Sequence, residues 1–189
     1  PHPKSVQCVG GRWKFDQGED CGVMPDVMIV TYEFDKMAMS FDCTGFTEKY
    51  MLKTPMSIRQ SDEFPNWAQN TSRIEIYGTK RMMYLGRVGG GFQVLEADNK
   101  VVEQQYGRFP DEPHAANFVD CIRSREQPNA DVEQGHKAAT LEHLAILSYR
   151  LGNQKLAFDG KTETFVDNAE ANDRLLPTYR ENYRMPDEV

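Results

Sequence analysis

Two histidines and an asparagine stand near the predicted starts of two helices. His114 precedes Asn117 by one helical turn, so an imidazole and an amide could together hydrogen-bond the hydroxyl groups of a ligand. His136 follows Gly135 in the first turns of the next helix, where free backbone N–H groups favour an anion or a hydroxyl. The simpler interpretation of both histidines is capping, packing or surface exposure, because histidine is only intermediate in burial.

Arginine and aromatic side chains give a second set of candidate substrate contacts. Arg12 and Trp13 end the first predicted strand and could offer a ligand hydrogen bonds and a stacking face. The alternative is a core tryptophan beside a surface arginine. Arg87 lies in the glycine-rich run 86–91 and is either a substrate contact or a solvated charge in a turn.

The spacing of the reactive residues predicts neither a catalytic residue nor a metal site. His136 and His143 share a helix face, but histidines seven positions apart are poorly spaced for a metal. No Ser-His-Asp or Cys-His arrangement can be assigned. The cysteines form no C-x-x-C pair or zinc-type cluster, and we expect free thiols at Cys8, Cys21, Cys43 and Cys121.

Length and charge restrict the class of protein. The 189 residues fit one domain, 1–189, with an ordinary hydrophobic content of 39%. A net charge of -7 argues against nucleic-acid binding, and no apolar stretch approaches the roughly 20 residues needed to cross a bilayer. The sequence opens without Met on PHPKSVQCVGG, which suggests an excised domain or a truncated chain. Its compartment is not determined: the cytoplasm is favoured, and export would need a signal upstream.

The first hundred residues alternate with the period of two that is typical of β-strands. Turns at 35–36, 78–79 and 98–99 join successive strands as hairpins, so the pairing should be antiparallel. A long irregular excursion from Thr44 to Ser72 interrupts this pattern. The predicted strands are Ser5–Phe15, Asp26–Phe34, Met37–Cys43, Arg73–Tyr77, Arg81–Leu85, Phe92–Glu96 and Val101–Tyr106.

From Glu112 to Gly152 the period changes to 3.6, which predicts two helices joined by a polar loop. Gln127-Pro128 ends the first helix, and Asp131 caps the second, with Gln134 three residues later. The residues expected to be buried on the apolar faces of the two helices are Phe118, Ile122, Leu144 and Leu147. Strands followed by helices predict an α+β fold: one open, mostly antiparallel β-sheet with helices packed on one face.

The predicted strands carry large apolar residues at both odd and even positions, and therefore on both faces of the sheet. In the second predicted strand Met28 and Val30 alternate with Val27, Ile29 and Tyr32. A sheet with one solvated face would alternate apolar with polar residues. We therefore expect a homo-oligomer that forms through the sheet face.

Several segments together resemble one protein family. HAANFVDCIRSREQPNADVEQGHKAATLEHLAILSYRLG looks like the F-x-D-x-I-R-S helix, polar loop and second helix of the C-terminal domain of Gfo/Idh/MocA dehydrogenases. RIEIYGTKRMMYL resembles the family's strand, Gly-Thr turn and strand, SVQCVGGRW its first C-domain strand, and EANDRLLPTYRENYRMP its closing segment. The resemblance spans nearly the whole chain and is weak only from Thr44 to Ser72.

This resemblance implies the substrate-binding and oligomerisation domain of an NAD(P)-dependent oxidoreductase that acts on a sugar or polyol CH–OH group. In the family a Rossmann domain binds NAD or NADP, and Glu-Lys-Pro and Asp-x-x-x-His motifs act near the hydride acceptor. Neither motif occurs here, and the run 86–91 lacks the G-x-G-x-x-G spacing. No catalytic or cofactor-binding residue is therefore carried over, and we interpret the run as a flexible hairpin connection. The alternatives are a domain of an NAD-dependent glycosidase and a non-enzymatic binding or assembly module.

Overall fold

The computed structural model describes residues 1–14, 22–45, 50–51, 56–87, 89–177, 179–180 and 183. They form an α+β fold with two antiparallel sheets, which confirms the predicted class. The elements are β1 (Ser5–Gly11), β2 (Val27–Glu33), β3 (Ala38–Thr44), α1 (Met56–Arg59), β4 (Arg73–Tyr77), β5 (Met82–Gly86), β6 (Phe92–Leu95), β7 (Val101–Gln105), α2 (Asp111–Ser124), α3 (Val132–Arg150), β8 (Leu156–Asp159), β9 (Thr164–Phe165) and α4 (Ala169–Asp173).

The chain divides into two compact units. Unit 1 comprises Pro1–Thr44 and Val132–Val189, and unit 2 comprises Gly45–Asp131. The sequence predicts a single sheet, whereas the structure has two sheets, one in each unit. The excursion after β3 separates the early hairpin from the later meander. None of the helices in the described residues is long and apolar enough to cross a membrane.

Unit 1 contains a five-stranded sheet in the order β3-β2-β1-β8-β9. β1 and β2 pair along their whole lengths, from Ser5 opposite Glu33 to Gly11 opposite Val27. The predicted turn at 35–36 is present, and the Phe34 N–H donates to the Met37 carbonyl at 2.9 Å. Alternation along the strands directs one set of side chains towards α3.

The core of unit 1 forms where α3 packs on that sheet. Leu144 and Leu147 are buried, as predicted, against apolar side chains of β1 and β2. Burial of Tyr32 raises its pKa to about 12, and its hydroxyl donates to the Leu141 carbonyl at 2.8 Å. The remaining buried members of the cluster are Val6, Cys8, Val30, Ala145, Leu151, Leu156, Phe158, Phe165 and Ala171.

The opposite face of this sheet is largely polar. Gln7, Thr31 and Ser40 occupy one cross-strand row on it and are exposed. Val9 and Ile29 face each other in the neighbouring row and are the large apolar side chains exposed there. Although β2 has apolar residues at both odd and even positions, only one face of this sheet is mainly apolar.

Unit 2 contains a four-stranded antiparallel meander in the order β4-β5-β6-β7. On one face Trp67 is buried and stacks on Tyr84, with ring centroids 5.8 Å apart, and its Nε1–H donates to Gln93 Oε1 at 2.7 Å. The other face carries two adjacent cross-strand rows of apolar residues, which we call the apolar face. These residues are Ile74, Ile76, Met83, Leu85, Phe92 and Val94.

The prediction that α2 is buried is wrong. Phe118 is 57% exposed and Ile122 is 50% exposed, and α2 contains no buried residue. Periodicity identifies an apolar face of a helix but not the surface that covers it. In this chain α3 has such a surface in the sheet of unit 1, whereas α2 belongs to unit 2.

The described cysteines are free thiols, as predicted for Cys8, Cys43 and Cys121. Cys8 is buried, and this burial raises the pKa of its thiol. Cys121 is half-buried. Cys21 lies outside the described residues.

We expect Leu144→Ala to lower the free energy of unfolding by about 2–5 kcal/mol, because it leaves a cavity in a packed core. Urea unfolding followed by circular dichroism measures this loss. Leu176→Ala, at an exposed leucine, is the matched control and should change stability by less than about 0.5 kcal/mol. Equal effects of the two substitutions would contradict the assignment of the core.

Candidate functional site: a glycine-lined cavity in unit 2

The glycine-rich run connects β5 to β6 as a closely packed loop. The Gly86 N–H donates to the Gly91 carbonyl at 2.9 Å, and the Gly90 N–H donates to the Gly107 carbonyl at 2.8 Å. Gly89, Gly90 and Gly91 all adopt positive φ angles, of 92°, 87° and 64°. Val88, inside the run, lies outside the described residues.

Close backbone approach explains the glycines better than flexibility does. A Cβ atom on Gly91 would lie 1.8 Å from the backbone oxygen of Gln105, which is far inside contact distance. A Cβ atom on Gly90 would lie 2.8 Å from Pro65 Cδ. The start of β6 can therefore lie against the end of β7 only if position 91 has no side chain.

This approach leaves a cavity of about 310 Å³ at that end of the sheet. Its volume is at the lower end of the range for small-molecule sites. Its polar wall comes from Arg87, Gln105, Tyr106 and Arg108. The other lining residues are Leu85, Gly86, Gly89, Gly91, Phe92, Gly107 and Pro110.

The two arginines of the cavity differ in their partners. Arg108 Nη2 lies 3.2 Å from Asp62 Oδ1 in an exposed ion pair. Arg87 is exposed, and we find no hydrogen bond or ion pair to it in the part of the chain that the structure describes. Tyr106 stacks on Phe64, with ring centroids 4.4 Å apart. The cavity thus presents one paired guanidinium, one available guanidinium and a supported aromatic ring.

The two guanidinium groups and the aromatic ring suit ligand binding. A guanidinium binds a carboxylate or a phosphate through two parallel hydrogen bonds, and an aromatic ring stacks on an apolar sugar face. The lining residues that the structure describes include no Asp, Glu, His, Cys or Lys, and among them only Tyr106 belongs to the side-chain types that commonly transfer protons. The cavity can therefore hold and orient an anionic or hydroxylated molecule.

The described residues do not fit a nicotinamide dinucleotide. A dinucleotide site places the pyrophosphate at a helix N-terminus that follows a strand and a glycine-rich turn. Here the glycine-rich run joins two strands, and α2 begins after Pro110.

Of the predicted site residues, only Arg87 lines this cavity. His114 is exposed on the first turns of α2. Asn117 is half-buried, and its Oδ1 accepts the Asn129 N–H at 2.9 Å. Its amide therefore anchors the loop that follows α2. A substrate contact by His114 or Asn117 stays a prediction.

The other three predicted site residues belong to unit 1 and lie at two different ends of its sheet. Arg12 and Trp13 follow the last residue of β1, whereas His136 lies beside His2, before its first residue. Trp13 is 67% exposed, so the interpretation as a core tryptophan is wrong. Its backbone N–H donates to the Asp26 carboxylate at 3.0 Å. Substrate contacts by Arg12, Trp13 and His136 stay predictions.

The sequence interpretation missed Tyr106 and Arg108. The signal was available in the hairpin pattern, because in a meander the end of β7 lies opposite the start of β6. Residues directly after β7 therefore meet the connection that contains Arg87. Aromatic and basic side chains at 106 and 108 could have been grouped with it.

Comparison with known proteins identifies the family. Residues 75–185 match the Gfo/Idh/MocA model described as "Oxidoreductase family, C-terminal alpha/beta domain". The chain belongs to this family. No curated protein matches the chain.

Two solved structures resemble this Gfo/Idh/MocA domain. A "putative oxidoreductase" from Klebsiella pneumoniae has a TM-score of 0.51 at 10% identity, covering 91% of this chain and 47% of that one. The WlbA dehydrogenase from Bordetella pertussis, in complex with NADH and UDP-GlcNAcA, has a TM-score of 0.45 at 16% identity, covering 84% and 39%. This domain thus spans less than half the length of either structure, and at this identity the first likeness concerns the fold.

Two glycine substitutions should change stability in opposite directions. Gly91→Ala should lower the free energy of unfolding by at least about 1 kcal/mol, because it combines a positive φ with a backbone clash. Gly135→Ala should raise it by roughly 0.5–1 kcal/mol, because position 135 is inside α3 with no atom near the added Cβ. Urea unfolding of both variants measures the difference. A neutral Gly91→Ala would show that β6 and β7 do not approach as described.

Proposed function

We propose that this chain is the substrate-binding and oligomerisation domain of an NAD(P)-dependent oxidoreductase that acts on a sugar or polyol CH–OH group. Membership of the oxidoreductase family supports the general class. The observation that carries the proposal is the cavity beside the glycine-rich connection, with Arg87, Tyr106 and Arg108 in its wall. NAD(P) would bind to a Rossmann domain outside these 189 residues.

The cavity favours a sugar or polyol that bears an acidic group. The available guanidinium of Arg87 would bind the acid, and the Tyr106 ring offers a stacking face to the carbon skeleton. Arg108 adds positive charge, only part of which Asp62 offsets at this exposed position. The two guanidinium groups and the aromatic ring of the described lining support a role for this cavity in holding the substrate.

Calorimetric titration with glucuronate and with glucose tests this function, since the two sugars differ by one carboxylate. We expect glucuronate to bind the 189-residue chain at least tenfold more tightly than glucose. Arg87→Ala should remove most of this difference, because a hydrogen bond to a charged group contributes about 1.5–3 kcal/mol. NADH should not bind to this chain alone.

Arg81→Ala is the matched control for Arg87→Ala. Arg81 is an exposed arginine of the same unit that pairs with Glu96 and does not line the cavity. Its replacement should leave glucuronate affinity unchanged. Equal affinities for the two sugars, or equal losses in the two arginine variants, would contradict the proposed site.

The oligomerisation role is assigned to the apolar face of unit 2. Ile74 and Ile76 are exposed on it, and their row neighbours on β5 and β6 are half-buried apolar side chains. The outer face of the unit 1 sheet is mostly polar and is a poorer candidate. Two copies of the apolar face packed sheet on sheet would cover these residues symmetrically.

Ile76→Glu should convert a dimer of about twice 21.7 kDa into a monomer, because it places a charge within the buried interface. Sedimentation velocity at low micromolar concentration measures the change. Thr31→Glu, on the polar face of the unit 1 sheet, is the control and should leave the dimer intact. A monomeric unsubstituted chain, or dissociation in the Thr31→Glu variant alone, would contradict this assignment.

A further inference from the structure

Two imidazoles and a carboxylate converge in unit 1, away from the cavity. His136 Nε2 lies 2.8 Å from Glu163 Oε1, and His2 Nε2 lies 3.2 Å from the same oxygen. One nitrogen or oxygen atom from each of the three side chains lies within 4.8 Å of the other two. The three residues come from the segment before β1, the second turn of α3 and the turn between β8 and β9.

The surrounding residues hold His2 and Glu163 in place. The His2 ring packs edge-on against Phe158, with centroids 5.9 Å apart, and its side chain is only 10% exposed. Gly160 makes room for it, because a Cβ atom there would lie 2.6 Å from His2 Cβ. Glu163 has a φ of 54°, which is uncommon for a residue other than glycine.

We propose that His2, His136 and Glu163 form a binding site for a divalent transition-metal ion, of which Zn²⁺ is the best fit. Zinc bonds of about 2.0–2.1 Å in tetrahedral geometry place neighbouring ligand atoms about 3.3 Å apart. The distance of 3.2 Å from His2 Nε2 to Glu163 Oε1 is near this value, and the hydrogen-bonded pair of His136 Nε2 and the same oxygen, 2.8 Å apart, would separate by about 0.5 Å around an ion. Two imidazoles and one carboxylate also match the ligand set of zinc sites that keep a fourth position open.

The ligand types exclude the common hard cations. Mg²⁺ and Ca²⁺ prefer oxygen ligands, and imidazole is a ligand for zinc, copper, nickel and iron. His136 and Glu163 are about half-exposed, so an ion and its water ligand can reach the site from solvent. Because the ligands belong to three separate segments, the ion would bind the folded unit and stabilise it.

Zinc titration of the chelator-treated, untagged 189-residue chain tests the proposal. Calorimetry should show one Zn²⁺ bound per chain and no binding of millimolar Mg²⁺. Zn²⁺ should also raise the melting temperature, and bound Co²⁺ should give visible absorption bands typical of tetrahedral coordination. His2→Ala, His136→Ala and Glu163→Gln should each weaken zinc binding at least tenfold. Even the loss of a residue that only hydrogen-bonds to a metal ligand typically lowers metal affinity 10–100-fold.

Two control variants separate this site from other zinc ligands. His143→Ala removes an exposed histidine of the same helix, and Cys43→Ser removes an exposed free thiol. Both should keep the affinity of the unsubstituted chain. The proposal is overturned if zinc does not bind stoichiometrically, if the Glu163→Gln chain, folded by circular dichroism, binds zinc unchanged, or if either control weakens binding as much as His136→Ala.

Discussion

The buried hydroxyl of Ser148 fixes the position of α3 on the sheet of unit 1, and much of that unit depends on it. β1 pairs with β8 only at Ser5 and Val6, so the backbone of β1 loses its β8 partner beyond that point. There Ser148 Oγ accepts the Cys8 N–H at 2.8 Å and donates to the Gln154 carbonyl at 2.6 Å. Leaving the N–H of the buried Cys8 or the hydroxyl of the buried Ser148 unpaired costs about 1–3 kcal/mol each, and this cost favours one position of the helix along the strand.

The contact between Ser148 and Cys8 also determines which residues lie together at the N-terminal end of α3. From His136 to Ser148 the helix rises about 18 Å at 1.5 Å per residue. From His2 to Cys8 the extended chain advances about 20 Å at roughly 3.3 Å per residue. Because α3 and β1 run in the same direction and meet at Cys8 and Ser148, these nearly equal lengths bring His2 beside His136. The proposed metal site thus follows from the register of a helix on a strand.

Local pattern in the sequence predicted the elements closely, and tertiary placement much less well. The hairpin turns at 35–36 and 98–99 and both long helices form where period and turn residues indicate them. The burial of Phe118 and Ile122 was predicted wrongly because amphipathic spacing does not identify a partner surface. His2 and Glu163 carry no sequence signal at all, since their proximity to His136 depends on three segments that are distant along the chain.

The cavity of unit 2 shows how an absent side chain can define a site. Gly91 allows β6 to contact Gln105, and this contact places the residues that follow β7 beside Arg87. In the sequence the charge of Arg87 marks a possible substrate contact, whereas the glycines beside it indicate only a flexible hairpin connection. The resulting wall holds two guanidinium groups and an aromatic ring. In the proposed enzyme, this domain would therefore set substrate specificity through residues 87, 106 and 108, whose positions depend on a residue that has no side chain.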